Sequence, residues 1–211
     1  MGSLLAIEFV TLDGVMQGYG SPDEDRDGGF AHGGWGLPYA VHRQPDDAPD
    51  GLRETSAYLF GRRTYEKMVE FWPRQPDDNP MAAHLNGSPK YVVSSTLADP
   101  TWSHTTVVSG DLAATVGRLK REHEGNIVVL GSWSLLGALI SQDLLDGYRL
   151  FVHPLLLGTG KRLFRALPSP QTLQLLDVQT SPSGIVMLAY ARTSTAPGAA
   201  VSAGHDLQGT T

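Results

Sequence analysis

The sequence predicts one α/β domain built on a sheet with an antiparallel C-terminal edge, and three observations carry the prediction. Short runs of strand-forming residues alternate with stretches of helical spacing, as strand-helix-strand units require. Residues 127–130 are apolar without interruption, the pattern of a strand buried on both faces and hence of the sheet centre. The last two strand-like runs are separated only by Ser181-Pro182-Ser183-Gly184, a turn that suits antiparallel neighbours.

Taken in order, residues 4–11 read as the first strand, closed by Asp13-Gly14. Residues 17–50 are crowded with Gly, Pro and Asp around Phe30, Trp35 and Tyr39, which predicts a long shaped surface loop. A short apolar strand at 57–61 passes into a helix at 62–71 with Tyr65, Met68 and Val69 on one stripe. Strands follow at 90–94 and 105–109, then a helix at 111–124 that Asp111 can cap. After the central strand at 127–130, Gly131-Ser132 opens a helix through residue 140, and strands at 149–157, 172–180 and 185–192 complete the sheet. Residues 194–211 are mostly Ala, Gly, Ser and Thr, too poor in large apolar side chains to offset their ordering entropy. The expectation is therefore a folded domain over 1–193 and a disordered tail over 194–211.

Composition narrows the function. A chain of 211 residues with 41% hydrophobic and 18% charged positions can bury one proper core. Its net charge of -6 opposes binding to nucleic acid, whose phosphates are matched mainly by Lys and Arg. The absence of cysteine excludes disulfides, thiolate metal sites and a cysteine nucleophile. The longest apolar stretch, 127–140, is interrupted by Gly131, Ser132, Ser134 and Gly137, so no membrane span is predicted. Met1-Gly2-Ser3-Leu4 leads straight into a strand without a secretory pattern, and a cytoplasmic enzyme is the expectation. The seven histidines form no pair at ligand spacing, so no metal site is expected. Gly158-Thr159-Gly160-Lys161 lacks the spacing of a phosphate loop and reads as a tight turn.

The chemistry lies at three strand ends that deliver small, hydroxylated or basic residues: Gly61-Arg62-Arg63-Thr64, Ser94-Ser95-Thr96 and Gly131-Ser132. At Gly61 a strand becomes a helix, where free N–H groups and the positive dipole end favour an anion, with Arg62, Arg63 and Thr64 as further donors. Gly131-Ser132 repeats the arrangement after the central strand, and glycine there permits close backbone approach to a ligand. Each junction alone is also compatible with an ordinary turn beside a solvated face.

In combination these segments resemble the superfamily of dihydrofolate reductase and the riboflavin-biosynthesis reductase C-terminal domain. The resemblance spans residues 3–192 and rests on Glu8-Phe9-Val10-Thr11-Leu12-Asp13-Gly14-Val15, Gly61-Arg62-Arg63-Thr64-Tyr65-Glu66, Phe71-Trp72-Pro73, Lys90-Tyr91-Val92-Val93-Ser94-Ser95-Thr96-Leu97, Val129-Leu130-Gly131-Ser132 and Leu157-Gly158-Thr159-Gly160-Lys161-Arg162-Leu163-Phe164. It implies a dihydrofolate reductase-like fold, a central, mostly parallel eight-stranded sheet with flanking helices. It also implies NADPH as cofactor, hydride transfer to a bound heterocycle or similar acceptor, and, as in many relatives, a homodimer. By position, Gly61, Arg62, Arg63 and Thr64 would hold the adenine-side phosphates, Ser94, Ser95 and Thr96 the adenosine ribose region, and Gly131, Ser132 and Trp133 the pyrophosphate. Asp13 and Gly14 would border the nicotinamide. Arg62 or Arg63 beside a 2′-phosphate would favour NADPH over NADH; Ser134 stands where a further arginine could have been.

One departure matters for the substrate. Dihydrofolate reductases present a carboxylate shortly after a Trp-x-Leu-Pro segment, whereas here Trp35-Gly36-Leu37-Pro38 leads to Tyr39, Ala40, Val41 and His42. Folate reduction is therefore not expected, and the proton must come from another group or from water. Glu8, a carboxylate in an apolar strand, is one candidate donor, with an edge-exposed or paired structural glutamate as the alternative; His42 is the other, and Asp13 at the nicotinamide completes the catalytic candidates. Trp35 and Tyr39 could stack on a flat ligand, while Trp72 could do so or anchor a helix end. The expected function is NADPH-dependent reduction of a small heterocyclic, unsaturated or carbonyl-bearing metabolite. The rival readings are a ligand-binding protein that has lost catalysis and a reductase that uses a flavin-type carrier.

Overall fold

The computed structural model describes residues 1–40, 53–76, 78–165, 167 and 169–193. Eight strands form one sheet: β1 (Ser3–Thr11), β2 (Thr55–Gly61), β3 (Lys90–Val93), β4 (Thr105–Val108), β5 (Asn126–Leu130), β6 (Gly147–His153), β7 (Leu173–Thr180) and β8 (Val186–Arg192). Their order across the sheet is β4-β3-β2-β5-β1-β6-β8-β7. The first six are mutually parallel, and β8 and β7 add an antiparallel edge. This is the predicted architecture, with β5 inside the parallel block as its unbroken apolar run requires. The strand expected at 149–157 ends at His153, because Pro154 has no N–H to give a ladder.

Helices α1 (Leu37–Ala40), α2 (Arg62–Phe71), α3 (Pro80–Gly87), α4 (Leu112–Glu122) and α5 (Trp133–Ser141) complete the fold. Side chains alternate across each strand, so the sheet carries a core on both faces. Leu4, Ala6 and Val10 of β1 pack with Ala57, Leu59, Ile127 and Val129 against α4 and α5 through Val116, Leu119, Leu135, Leu136 and Leu139. The other face packs Tyr58, Phe60, Val128 and Leu130 against Tyr65, Leu85 and Trp102. Trp72 belongs to the margin of this second core and donates from its indole N–H to Met68 Sδ at 2.9 Å, which settles it as an anchor of the α2 end. Among the described residues no helix is long and apolar enough to cross a membrane.

Helix α3 was not predicted. Asn79 accepts from the Met81 and Ala82 N–H groups at 3.1 Å each and Pro80 opens the first turn, a capped start that the sequence does contain. Its C-terminus is held by Lys90, fully buried at the start of β3, whose ammonium donates to the Leu85 and Ser88 carbonyls at 2.6 and 2.7 Å and lies over the Trp102 ring.

Candidate active site

Because β1 to β6 are parallel, their C-terminal ends share one edge, the position at which open α/β sheets place ligands. Helices α2 and α5 both begin there. Their N-caps are Gly61 and Ser132, and neither makes a side-chain capping bond, whereas Asn79 and Asp111 cap α3 and α4. The first-turn N–H groups of α2 and α5 thus lack the side-chain acceptors that satisfy the other two helices.

The two uncapped starts meet. A methyl group at Gly61 would lie 1.9 Å from Ser132 Oγ, and one at Gly131 would lie 3.4 Å from Thr64 Cγ2. Gly131 (φ +64) and Ser132 (φ +70) both adopt left-handed backbone, a conformation that costs a serine energy and persists here at a strand-helix junction. Arg62 extends from α2 to Thr96 Oγ1 at 2.5 Å while pairing with Glu66 at 2.6 Å. Ser94 Oγ accepts from the Thr96 and Leu97 N–H groups at 3.1 and 3.0 Å, shaping the turn that leaves Ser95 and Thr96 exposed. The structure therefore brings Gly61, Arg62, Thr64, Thr96, Gly131 and Ser132 to one edge. Trp133 lies beside them, its ring covered by the Arg165 guanidinium at 3.7 Å and its indole N–H donating to Arg162 O at 2.9 Å.

Asp13 is positioned otherwise than a proton donor needs. Its carboxylate accepts from Thr11 Oγ1 at 2.5 Å, Gly158 N at 2.8 Å and Leu157 N at 3.2 Å, and Arg162 approaches it at 3.5 Å. The Thr11 hydroxyl above all, then the Gly158 and Leu157 N–H groups, hold it down at about 2 against the cost of its burial. Asp13 is therefore ionised at neutral pH and ties the end of β1 to the 157–162 loop. Gly14, at φ +82, makes the tight turn beside it.

Glu8 is buried on the α4/α5 side of β1, in register with Leu4, Ala6 and Val10. Burial pushes its carboxyl up to about 8, a shift that a hydrogen bond from Gly131 N at 2.7 Å only partly opposes. Its neighbour Phe9 points to the opposite face and stacks on Tyr19 at 4.3 Å and Phe151 at 4.8 Å. There Trp35 and Tyr39 also gather, edge-on to His153 at 5.1 and 5.0 Å. The indole N–H of Trp35 donates to Gln17 O at 2.7 Å. Trp35 and Tyr39 thus do converge, and Glu8 faces away from them, toward the Gly131 loop. His42 lies outside the described residues.

His153 is the residue sequence reasoning passed over. It is fully buried at the end of β6, its Nδ1 is 2.9 Å from Phe151 O, and Phe9, Tyr19, Trp35 and Tyr39 surround its ring. The signal available was a histidine ending a strand immediately before Pro154.

Fold and strand-end geometry together define an open α/β domain with an anion-favouring edge beside an aromatic cluster. The chain belongs to the RibD C-terminal domain family, whose model matches residues 4–187; domains of this family are typically NAD(P)H-dependent reductases. It is 26% identical over 188 residues to the uncharacterized protein YyaP of Bacillus subtilis, an alignment covering 86% of this chain and 90% of that protein. Among solved structures, a putative riboflavin biosynthesis protein from a Shewanella species matches with a TM-score of 0.67 at 17% identity, covering 90% of this chain and 99% of the other. A pyrimidine reductase-like protein of Corynebacterium diphtheriae matches with a TM-score of 0.54 at 13% identity, covering 92% and 93% of the two chains. RibD of Acinetobacter baumannii matches with a TM-score of 0.58 at 14% identity over 92% of this chain, which spans 58% of that longer one.

Proposed function

We propose that this protein is an NADPH-dependent reductase of a small heterocyclic, unsaturated or carbonyl-bearing metabolite other than dihydrofolate. The observation that carries the reading is the meeting of two helix N-termini without side-chain caps at Gly61 and Ser132, flanked by Arg62 and Arg63. Exposed N–H groups, two positive dipole ends and two guanidinium groups favour a ligand bearing several phosphates. The missing Cβ atom of Gly61 lets Ser132 pack against it and so brings the two helix starts together, and the residues present fit a dinucleotide.

In this reading the first turn of α2 with Arg62, Arg63 and Thr64, and the first turn of α5 with Ser132 and Trp133, hold the dinucleotide. Ser95 and Thr96 border its adenosine end. The bound dinucleotide supplies a hydride. Phe9, Tyr19, Trp35 and Tyr39 provide flat apolar surface for the acceptor and exclude water from it. His153, in the centre of these rings, is positioned better than Glu8 or Asp13 to move a proton toward an acceptor.

A second reading, ligand binding without catalysis, is favoured by one observation. Among the described residues no carboxylate joins the aromatic cluster, since Glu8 points away and Asp13 is held by three hydrogen-bond donors. Titration with NADPH, followed by tryptophan fluorescence and thermal shift, separates these readings when combined with NADPH oxidation over a panel of acceptors. The reductase reading expects saturable binding, a roughly 10-fold or greater loss of affinity in Arg62→Ala, and turnover of at least one acceptor. Binding without turnover would leave the second reading, and no binding would remove both.

A further inference from the structure

The long loop after β1 does more than cover the aromatic cluster; it carries an acidic apex that reaches the phosphate-favouring edge. Asp27 Oδ2 lies 2.6 Å from the Arg63 guanidinium and 2.8 Å from Lys161 Nζ, so one carboxylate oxygen serves two cations from two separate strand-end segments. Lys161 also pairs with Asp25 at 2.6 Å. Behind them sits Gln17, buried. Its amide donates to Asp25 Oδ1 at 3.1 Å and Asp27 O at 3.0 Å, and its carbonyl accepts from Lys161 N at 3.0 Å. The apex is thus locked in place by Gln17 and Lys161, independently of Arg63.

The two ends of the Asp27 bridge differ in exposure. The Lys161 side chain is 18% exposed, while the Arg63 side chain is 82% exposed. Water screens the Arg63 contact most, whereas the Lys161 contact is sheltered from the lysine side and backed by Asp25 and Gln17. A phosphate arriving at the start of α2 carries more charge and more acceptor oxygens than a carboxylate, so it can take Arg63 from Asp27. Asp27 keeps Lys161 when this happens, and the loop loses only its link to α2.

We propose that Asp27 is a specificity-determining residue, an internal anion that occupies Arg63 until a ligand phosphate displaces it. The inference rests on the dinucleotide reading above and adds to it a competitor built into the chain. A ligand without a phosphate at this point leaves the Asp27–Arg63 pair in place and gains nothing from Arg63. A ligand with one exchanges one ion pair for a stronger one and unlinks the loop from α2.

The test is a double-mutant cycle on binding. Affinities of NADPH and NADH are measured by calorimetry for the wild-type protein, Asp27→Asn, Arg63→Ala and the double variant. Removing the competitor is expected to tighten NADPH by roughly two- to fivefold, the range open to an exposed ion pair, and the same change in the Arg63→Ala background is expected to do nothing. Tightening confined to NADPH assigns Arg63 to the 2′-phosphate, and equal tightening of NADH assigns it to the pyrophosphate; either supports the proposal. Unchanged or weakened binding in Asp27→Asn would overturn the inference while leaving the reductase reading intact, as would equal tightening with and without Arg63. Failure of the wild-type protein to bind either dinucleotide would remove the reductase reading and the inference with it.

Discussion

Glu8 and Asp13 lie five residues apart on and beyond the same strand, yet their surroundings drive them in opposite directions. Asp13 is surrounded by donors and stays ionised near neutrality. Glu8 has burial on every side and one N–H, so it holds its proton to about 8. The unfolded chain releases that proton near 4.5. Below this value both states are protonated. Between 4.5 and 8 the native state binds a proton that the unfolded state has lost, so stability falls as pH rises through this window, and the loss is complete above it. Glu8→Gln keeps an acceptor for Gly131 N–H and cannot ionise. The variant should match the wild-type protein below pH 4.5 and exceed it by roughly 5 kcal/mol above pH 8, in urea denaturation followed across pH. A constant difference at all pH values would mean that Glu8 is ionised in the folded protein. The sequence made Glu8 conspicuous as a carboxylate in an apolar run. It could not say which sheet face the side chain joins, and that fact turns it from the aromatic cluster toward the Gly131 loop.

The junctions β2–α2 and β5–α5 depend on each other through Gly61 and Ser132. Gly61 has φ -82 and ψ 159, so alanine accepts its backbone without strain, and the effect of Gly61→Ala is the collision of its methyl group with Ser132. That collision should cost roughly 1–3 kcal/mol in chemical denaturation. Ser132→Gly removes the colliding atoms and relaxes the left-handed position, so the double variant should recover most of the loss. A harmless Gly61→Ala would show that the two helix starts are not in contact. Both junctions were legible, since the change from strand to helical spacing at Gly61 and Gly131 marks them. Helix α3 was not, because residues 80–87 bury only Ala82 and Leu85 and present no long apolar stripe. The aromatic cluster was half legible. Trp35 and Tyr39 stand out in a polar loop, but Phe9 and His153 lie on strands far apart in the chain that only the β1–β6 pairing makes neighbours, and Tyr19 joins them from the loop.

Across the molecule, burial falls steeply from the centre of the sheet to its antiparallel edge. Strand β5 is flanked by β2 and β1 and covered on both faces. At the other extreme β7 pairs only with β8, and Leu175, Leu176 and Val178 are exposed. The periodicity of 172–180 foretold a strand there and not its exposure, because pairing partners are a property of topology rather than of local pattern. Local opening is governed by how much buried apolar contact must be broken. Native-state hydrogen exchange should therefore find the slowest amides in β5, β1 and β2, opening only with global unfolding, and much faster exchange in β7, which frees itself by breaking one ladder. Measured at several protein concentrations, the same experiment has a second use. Protection of β7 that rises with concentration would show that association of copies covers this edge, since an unpaired strand edge with apolar side chains gains both hydrogen bonds and buried area from pairing. Protection of β7 equal to that of β5 at every concentration would contradict the gradient.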